Sequence, residues 1–512
     1  MTQHSLRILL AASEAVPFAK TGGLADVAGA LPLELSRLGH DVRLVIPRYR
    51  ALVRPGQEFQ EWVRLTVPTP AGKVETAVGR RPLPSAHGHR DQPSAFRPEL
   101  FAIRHDPFFN RSGLYQEKGK DYSDNLERFG FFSRAVLELL LAFVQHEGWT
   151  PDVLHVHDWQ TALCPVYLRT LYAARAELAT VGTLFTIHNM GFQGLFPRVD
   201  YPKTGLGPEW YTPKYLEFHG QMNLMKGGLV FADYLSTVSP TYAREIQTPE
   251  FGFGLEGVAK ERADRLVGIV NGIDTESWNP ATDAYLPHRY TEEDLTGKRG
   301  DKIELQREVN LPVREVPLLV VISRLTLQKG LDLIAETLPE LIARDVQVLI
   351  LGTGEPSFEA RFRALQARFP DKVAVRLGFD EQLAHRIQAG GDMLLMPSRY
   401  EPCGLSQLYS LRYGTVPIVR RTGGLADTVV PYSQQAVREG RATGFLFVEA
   451  TPQALLTTVL QALRVFADRS EWERIMRAGM RTDVSWSRSA RAYVDAYRNV
   501  VKVRRATREA TG

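Results

Sequence analysis

Arg324 and Lys329 stand five residues apart in Ser323-Arg324-Leu325-Thr326-Leu327-Gln328-Lys329-Gly330, which closes the apolar run 316–323. If that run is a buried strand, Arg324 emerges at its carboxyl end, where open α/β sheets bind ligands. A guanidinium grips a phosphate bidentately and an ammonium adds a point charge, so the pair suits a diphosphate. Lys20 heads a second candidate, Lys20-Thr21-Gly22-Gly23-Leu24-Ala25-Asp26. Two glycines ahead of a helix let backbone N–H groups converge on an anion, and Lys20 adds a full charge. Each stretch also has a plainer reading, a solvated loop in the first case and a tight glycine turn in the second. The turn at Lys20 is neither Gly-x-x-x-x-Gly-Lys-Ser/Thr nor Gly-x-Gly-x-x-Gly, so it is no P-loop or dehydrogenase fingerprint.

A carboxylate accompanies a third turn. Glu401, in Tyr400-Glu401-Pro402-Cys403-Gly404-Leu405-Ser406-Gln407, precedes a proline that keeps its backbone extended. Gly404 to Gln407 opens a further helix whose amides can meet a diphosphate. Glu401 beside it then suits recognition of sugar hydroxyls, or of a developing oxocarbenium. Cys403 reads as a small half-buried residue, with nothing marking it as a reactive thiol. In the first half, His155-Val156-His157-Asp158-Trp159 ends one apolar run and Thr186-Ile187-His188-Asn189 ends another. Strand alternation puts His155 and His157 on one face. With Asp158 they can ligate a metal if a further ligand comes from elsewhere, or they are core histidines hydrogen-bonded in place. His188 is the better polar-site candidate. No Asp-x-Asp pair occurs to clamp a metal on a nucleotide sugar.

These residues hang on short apolar runs alternating with longer amphipathic stretches, the pattern of βαβ units and a parallel sheet. Strands are expected at 6–12, 41–46, 152–157, 182–187, 234–238 and 266–270, with a helix over 24–38. After the polar stretch 275–301 a second series follows at 316–323, 346–351, 373–377, 393–396 and 416–419. The chain thus reads as two doubly wound sheets in tandem with a break near 245–265. The region 79–124, with Pro82, Pro84, Pro93, Pro98 and Pro107, reads as a long surface excursion. A basic helix is expected at 488–505, and a solvated tail from Arg504 to Gly512. Thr21–Asp26 recurs as Thr422-Gly423-Gly424-Leu425-Ala426-Asp427, each copy preceded by a cation. The echo is too short to establish a domain duplication.

Composition sets outer bounds. At about 150 residues per domain, 512 residues call for two to four domains. Hydrophobic residues at 44% and charged residues at 23% sit near globular averages. Lys and Arg number 62 against 58 acidic residues, and that balance of +4 argues against a nucleic-acid partner. Two cysteines, Cys164 and Cys403, exclude a disulfide framework and a thiolate zinc site, and fit a cytoplasmic location. The apolar run Ile8 to Ala12 is too short for a signal sequence, and no stretch reads as a membrane span.

Taken in order, Lys20-Thr-Gly-Gly-Leu-Ala-Asp26, His157-Asp158-Trp159, His188-Asn189, Asn271-Gly272, Arg324 with Lys329, Glu401-Pro-Cys-Gly-Leu405 and Arg421-Thr-Gly-Gly-Leu425 resemble the motifs of bacterial glycogen synthases and plant starch synthases. The resemblance spans about residues 6 to 500 and is weakest around 79–110 and in the tail. It implies an α/β protein of the GT-B fold, two Rossmann-like doubly wound parallel-sheet domains facing a deep cleft. Residues 1–250 would form the acceptor side, 251–485 the donor side, and 486–512 a C-terminal helix and tail returning to the N-terminal domain. The implied reaction moves glucose from ADP-glucose to the non-reducing 4-hydroxyl of an α-1,4-glucan with retention, using no metal or other cofactor.

Carried over residue by residue, Arg324 and Lys329 hold the diphosphate, Glu401 contacts the donor glucose, His188 hydrogen-bonds the sugar and Asp158 shapes the pocket. Lys20, Gly22 and Gly23 close on the nucleotide, and Asp26 and Asn271 line the cleft. The turn Cys403, Gly404, Leu405 and Ser406, with Gln407, presents helix amides. Two positions depart from the pattern. Phe192 stands where the family more often has Tyr, removing one hydroxyl, and Ser406 stands where Thr is commoner. A retaining hydrolase needs two carboxylates about 5–5.5 Å apart, and Glu401 has no evident partner, so front-face displacement is the more natural chemistry. Three alternatives stay open. One is a UDP-glucose enzyme or one with a small acceptor, and another a catalytically silent glucan-binding module. The third is a nicotinamide dehydrogenase, which would need Gly-x-Gly-x-x-Gly after its first strand. Oligomeric state is not legible in the sequence.

Overall fold

The computed structural model describes residues 5–53, 58–84 and 96–511. The chain divides into two compact units. The first runs to Val238, resumes over Ala243–Ile269 and takes in the chain's end from Trp486. The second holds Ser239–Tyr242 and Val270–Ser485.

Among the described residues nine strands form the first unit's sheet: β1 (Arg7–Ala11), β2 (Asp41–Pro47), β3 (Gln60–Thr69), β4 (Gly72–Pro82), β5 (Glu99–Ile103), β6 (Val153–His157), β7 (Gly182–Ile187), β8 (Tyr234–Thr237) and β9 (Leu266–Gly268). Their order is β9-β8-β7-β6-β1-β2-β5-β4-β3. From β9 to β5 every pair is parallel. Helices cover both faces of such a sheet, which explains why Ile8 to Ala11, wholly buried, read as an unbroken apolar run.

The region 79–124 is a correction. Its beginning and middle belong to the sheet, because β4 pairs antiparallel with both β3 and β5. This hairpin buries only alternate residues, such as Leu65 and Val67, and Thr76 and Val78. One wet face and flanking prolines hid it from the apolar-run criterion. Pro93 lies outside the described residues.

The helix Asn125–Glu147 also departs from expectation. Among the described residues it is the one helix long and apolar enough, by length and composition, to cross a membrane. Most of it is buried within the first unit, and Arg128 in its first turns donates to the carbonyls of Phe108 and Leu114. It is a core helix.

The expected boundary at 250/251 falls instead at 269/270, because β9 pairs with β8 and completes the first sheet. The closing helix spans Trp486–Thr511, so the tail expected from Arg504 is helical; Arg504 donates to the Ala179 carbonyl at 2.8 and 3.0 Å. That helix packs on the first unit, with Val500 filling the space over Gly182.

The second unit has six parallel strands: β10 (Leu318–Ile322), β11 (Gln347–Gly352), β12 (Val373–Leu377), β13 (Met393–Met396), β14 (Val416–Arg420) and β15 (Phe445–Phe447), ordered β12-β11-β10-β13-β14-β15. Apolar clusters lie on both faces. β15, only three residues long, went unread.

A Gly-x-Gly-x-x-Gly spacing does occur, at Gly252 to Gly257, but between the short helices Pro249–Gly252 and Glu256–Glu261 rather than between a strand and its helix. Phe218 sits 2.8 Å from where a side chain on Gly254 would begin. It is a packed turn, not a dinucleotide loop.

The docking of the closing helix is testable. A Cβ at Gly182 would lie 2.5 Å from Val500 Cγ1. Gly182→Ala is expected to destabilise the protein by about 1–3 kcal/mol through overpacking, read as a lower melting temperature. Adding Val500→Ala should recover part of that loss.

Candidate functional site

In the second unit, β10 ends at Ile322 and the chain turns through Ser323 and Arg324 into a single 3-10 turn, Leu327–Lys329. Gly330 then takes φ +69°, and a Cβ there would lie 2.1 Å from the Pro397 carbonyl oxygen, so only glycine fits. The helix Leu331–Ile342 begins two residues beyond Lys329, and Gly330 bends Lys329 inward. Lys329 Nζ lies 2.8 and 2.7 Å from the two Glu401 carboxylate oxygens. Glu401 is 5% exposed and also accepts from Ser398 Oγ at 2.9 Å. Arg324 is exposed, with one long 3.5 Å contact to Gln328 Oε1. The expectation that Arg324 and Lys329 share one anion is therefore modified: in this structure the anion beside Lys329 is Glu401.

The recurring hexapeptide explains how Glu401 is held. Gly424 N–H donates to the carbonyls of Glu401 and Pro402, each at 3.1 Å. Gly423 has φ +43°, and a Cβ on it would lie 2.0 Å from the Glu401 carbonyl oxygen. One on Gly424 would lie 2.0 Å from that of Cys403. The second Thr-Gly-Gly copy is thus a backbone clamp on the Glu401 loop. Asp427 at its end accepts from the Thr241 amide and hydroxyl at 2.8 and 2.7 Å.

Burial pushes the Cys403 thiol up to about 12, although the Asn271 backbone amide bonds to it. Asn271 is itself buried, its side-chain oxygen without a hydrogen-bond partner among the described residues. Gly404 takes φ +75°, and Gln407 donates back to the Cys403 and Gly404 carbonyls at 3.0 Å. Leu405 precedes the seven-residue helix Ser406–Arg412, and Ser406 Oγ donates to the Ile322 carbonyl at 3.3 Å. These contacts tie the Glu401 loop to the end of β10.

The first copy of the hexapeptide works differently. Lys20 pairs with Asp26 at 2.7 Å. The amides of Thr21 and Gly22 donate to the Glu14 carboxylate, as does the Thr21 hydroxyl. The open phosphate nest expected here is corrected to a turn whose first two amides an internal carboxylate already satisfies. Glu14 is 3% exposed and accepts from the Tyr115 hydroxyl at 2.6 Å. Gly22 is extended at φ −152° with open space beside it, and Gly23 is exposed at the first helical residue.

Across β6 and β7 the register pairs His157 with Thr186, which brings Asp158 and His188 side by side. Asp158 takes φ +55°, a conformation few aspartates adopt, and accepts the His188 N–H at 2.7 Å. Burial raises its carboxyl to about 7 against the backbone N–H groups of His188 and Asn189. Burial also lowers His188 to about 3, so its imidazole is neutral at physiological pH. Phe192, the departure from the family pattern, is 54% exposed. His157 Nδ1 lies 3.1 Å from His188 Nε2, but among the described residues no three His, Cys, Asp or Glu are grouped to hold a metal ion.

Three residues of interest went unread. Glu14 and Tyr115 meet across about a hundred positions, with no local motif to flag them. Phe379 is 81% exposed, held between Gly378 at φ +126° and Asp380, which caps the helix Glu381–Gly390. It stands at the carboxyl end of β12, the same edge of the sheet as Arg324. An exposed phenylalanine at a ligand-binding edge was the one signal available, and the sequence does not display exposure.

Known proteins share this architecture. The sequence model for the starch synthase catalytic domain matches residues 7–261, and that for group 1 glycosyl transferases matches 302–477. The chain is 47% identical over 502 residues to the glycogen synthase of Syntrophotalea carbinolica, covering 98% of this chain and 100% of that one. It is 45% identical over 508 residues to glycogen synthase 2 of Geobacter sulfurreducens, again covering 98% and 100%. Among solved structures it matches the catalytic domain of starch synthase IV from Arabidopsis thaliana, bound to ADP and acarbose, with a TM-score of 0.86 and 32% identity over 98% of this chain and 100% of that one. A sucrose-phosphate synthase from Thermosynechococcus elongatus shares the fold, with a TM-score of 0.56 at 17% identity over 96% of this chain and 99% of that one.

The site geometry makes two predictions. Lys329→Ala strands a buried carboxylate and should cost about 3 kcal/mol or more in chemical denaturation, much of it recovered by adding Glu401→Ala. Asp158 holds its proton to about pH 7 when folded, whereas an unfolded aspartate loses it near pH 4. Stability from this group therefore falls as pH rises between those values. Asp158→Asn, which keeps the acceptor and tolerates positive φ, should gain about 1 kcal/mol over the parent between pH 4 and pH 8, a figure reduced for partial exposure. Melting temperatures at the two pH values check it.

Proposed function

The chain belongs to the family of bacterial glycogen synthases and plant starch synthases, retaining glucosyltransferases of the GT-B fold, and we propose that it elongates an α-1,4-glucan with glucose from ADP-glucose. The observation that carries this reading is the pair of half-buried Lys329 and buried Glu401 at the end of β10, beside exposed Arg324. Cleaving a bond to a nucleoside diphosphate requires neutralising the leaving phosphates more than a strong acid. Arg324 and Lys329 supply that charge, and Glu401 stands next to it to meet the donor glucose.

Glu401 is ringed by Lys329, Ser398 and the glycine clamp. Double displacement needs a second carboxylate as nucleophile, and no contact of Glu401 provides one. In the front-face alternative the C1–O bond to the diphosphate breaks as the acceptor's 4-oxygen bonds C1 on the same face. The acceptor proton passes to the departing phosphate oxygen. His188, neutral, hydrogen-bonds the sugar, while Asp158 fixes the His188 backbone. Lys20 exchanges Asp26 for phosphate, with Gly22 and Gly23 leaving room for its approach.

Phe379 offers the donor's base a stacking face. Neighbouring strands lie about 4.8 Å apart, so the end of β12 is about 10 Å from that of β10, the reach of a nucleoside diphosphate. An exposed ring there gives a purine a stacking face, worth about 1–3 kcal/mol. We place the reaction in the cytoplasm, with no nucleic acid or membrane as partner, and without metal, because Arg324 and Lys329 already supply the counter-charge.

Incubation with glycogen and radiolabelled ADP- or UDP-glucose tests the reading. Incorporation is expected from ADP-glucose, undiminished by a chelator, and Phe379→Ala should raise KM for ADP-glucose about tenfold with kcat retained. Equal use of UDP-glucose would overturn the donor assignment, and loss of rate with chelator would overturn metal independence.

A further inference from the structure

Behind His188 stands a row of histidines that the transfer step does not use. His155 and His157 project from one face of β6 with ring centroids 4.1 Å apart. His155 has both nitrogens engaged, Nδ1 with the Tyr497 hydroxyl at 2.9 Å and Nε2 with Thr186 Oγ1 at 2.6 Å. His157 is wholly buried and lies with Nδ1 3.1 Å from His188 Nε2. Its other nitrogen, Nε2, has no hydrogen-bond partner among the described residues. Burial holds both rings of that contact far below the usual imidazole range, so each carries one proton.

Between two neutral imidazoles a single hydrogen bond has two possible senses. If His188 Nε2–H donates, His157 must keep its own proton on Nε2, stranded in the core without an acceptor. If His157 Nδ1–H donates, His157 Nε2 keeps only a lone pair, and His188 carries its proton on Nδ1. An orphaned buried N–H is a rarer and costlier defect than an under-used acceptor.

We infer that His157 is a positioning residue: its Nδ1–H fixes His188 in the Nδ1-protonated tautomer and sets the ring's orientation, so that His188 offers a hydrogen-bond donor to the sugar. The inference rests on the sugar-facing role of His188 proposed above. It adds that His188 gives a hydrogen bond to a hydroxyl oxygen and does not serve as a proton acceptor. The buried chain His155–Thr186–Ser236, with Thr186 Oγ1 2.6 Å from Ser236 Oγ, backs the row and anchors the His155 ring against which His157 packs.

The test reads the tautomer directly. In full-length protein carrying 15N-histidine, long-range 1H–15N correlation at neutral pH is expected to show His188, assigned by its loss in His188→Asn, protonated on Nδ1. Protonation on Nε2 would overturn the inference whether or not the protein transfers glucose, which separates it from the functional reading. His157→Asn, whose amide N–H falls where Nδ1–H was, should keep the tautomer and a rate within about threefold of the parent. His157→Leu should lose the tautomer preference and lower kcat about ten- to hundredfold, as loss of one buried hydrogen bond implies. A Leu variant that keeps the tautomer overturns the assignment whatever its rate.

Discussion

Two opposite charges held out of water can persist only if each finds the other and the remaining donors and acceptors are met. At the end of β10 half-buried Lys329 meets buried Glu401, and the turns on either side are arranged around that pair. Gly330 must adopt positive φ to turn Lys329 inward, because the Pro397 carbonyl blocks any side chain there. The Ser398 hydroxyl donates to Glu401 Oε2, and Gly424 holds the Glu401 and Pro402 carbonyls. The same charges that need one another in the free protein are those a diphosphate sugar needs. On the proposed function, the pair holds the site ready, and substrate binding exchanges one anion for another at Lys329.

The two Thr-Gly-Gly-Leu-Ala-Asp segments show how one short sequence serves two ends. In the first, Glu14 satisfies the amides and Lys20 is tied to Asp26, which keeps a charged turn ordered. In the second, the glycines have no side chains because the Glu401 loop occupies that space. Identical residues do different work because different neighbours close on them, and that difference is tertiary.

This sets the limit of what was legible. Strands buried on both faces, such as β1, β2 and β10, announce themselves as continuous apolar runs. The β3–β4 hairpin, wet on one face and flanked by prolines, does not. Motif residues at strand ends, among them Arg324, Glu401 and His188, could be read because parallel sheets present their carboxyl ends to ligands. Their partners could not. Glu14 with Tyr115, and Gly424 with Glu401, are contacts between distant segments, and the spacing of residues along the chain carries no trace of them. The break at 269 was missed by about twenty residues because the strand expected at 266–270 carries no sign of its partner, and its pairing with β8 is what assigns it to the first sheet.

Glucose transfer from ADP-glucose to glycogen by Glu401→Gln bears most directly on this account. Gln fills the same volume and keeps the contact with Ser398, so a variant melting within a few degrees of the parent isolates the charge. The account predicts an initial rate lower by about two orders of magnitude or more, the size expected when a group acting on a developing charge is lost. A rate equal to the parent's would contradict it.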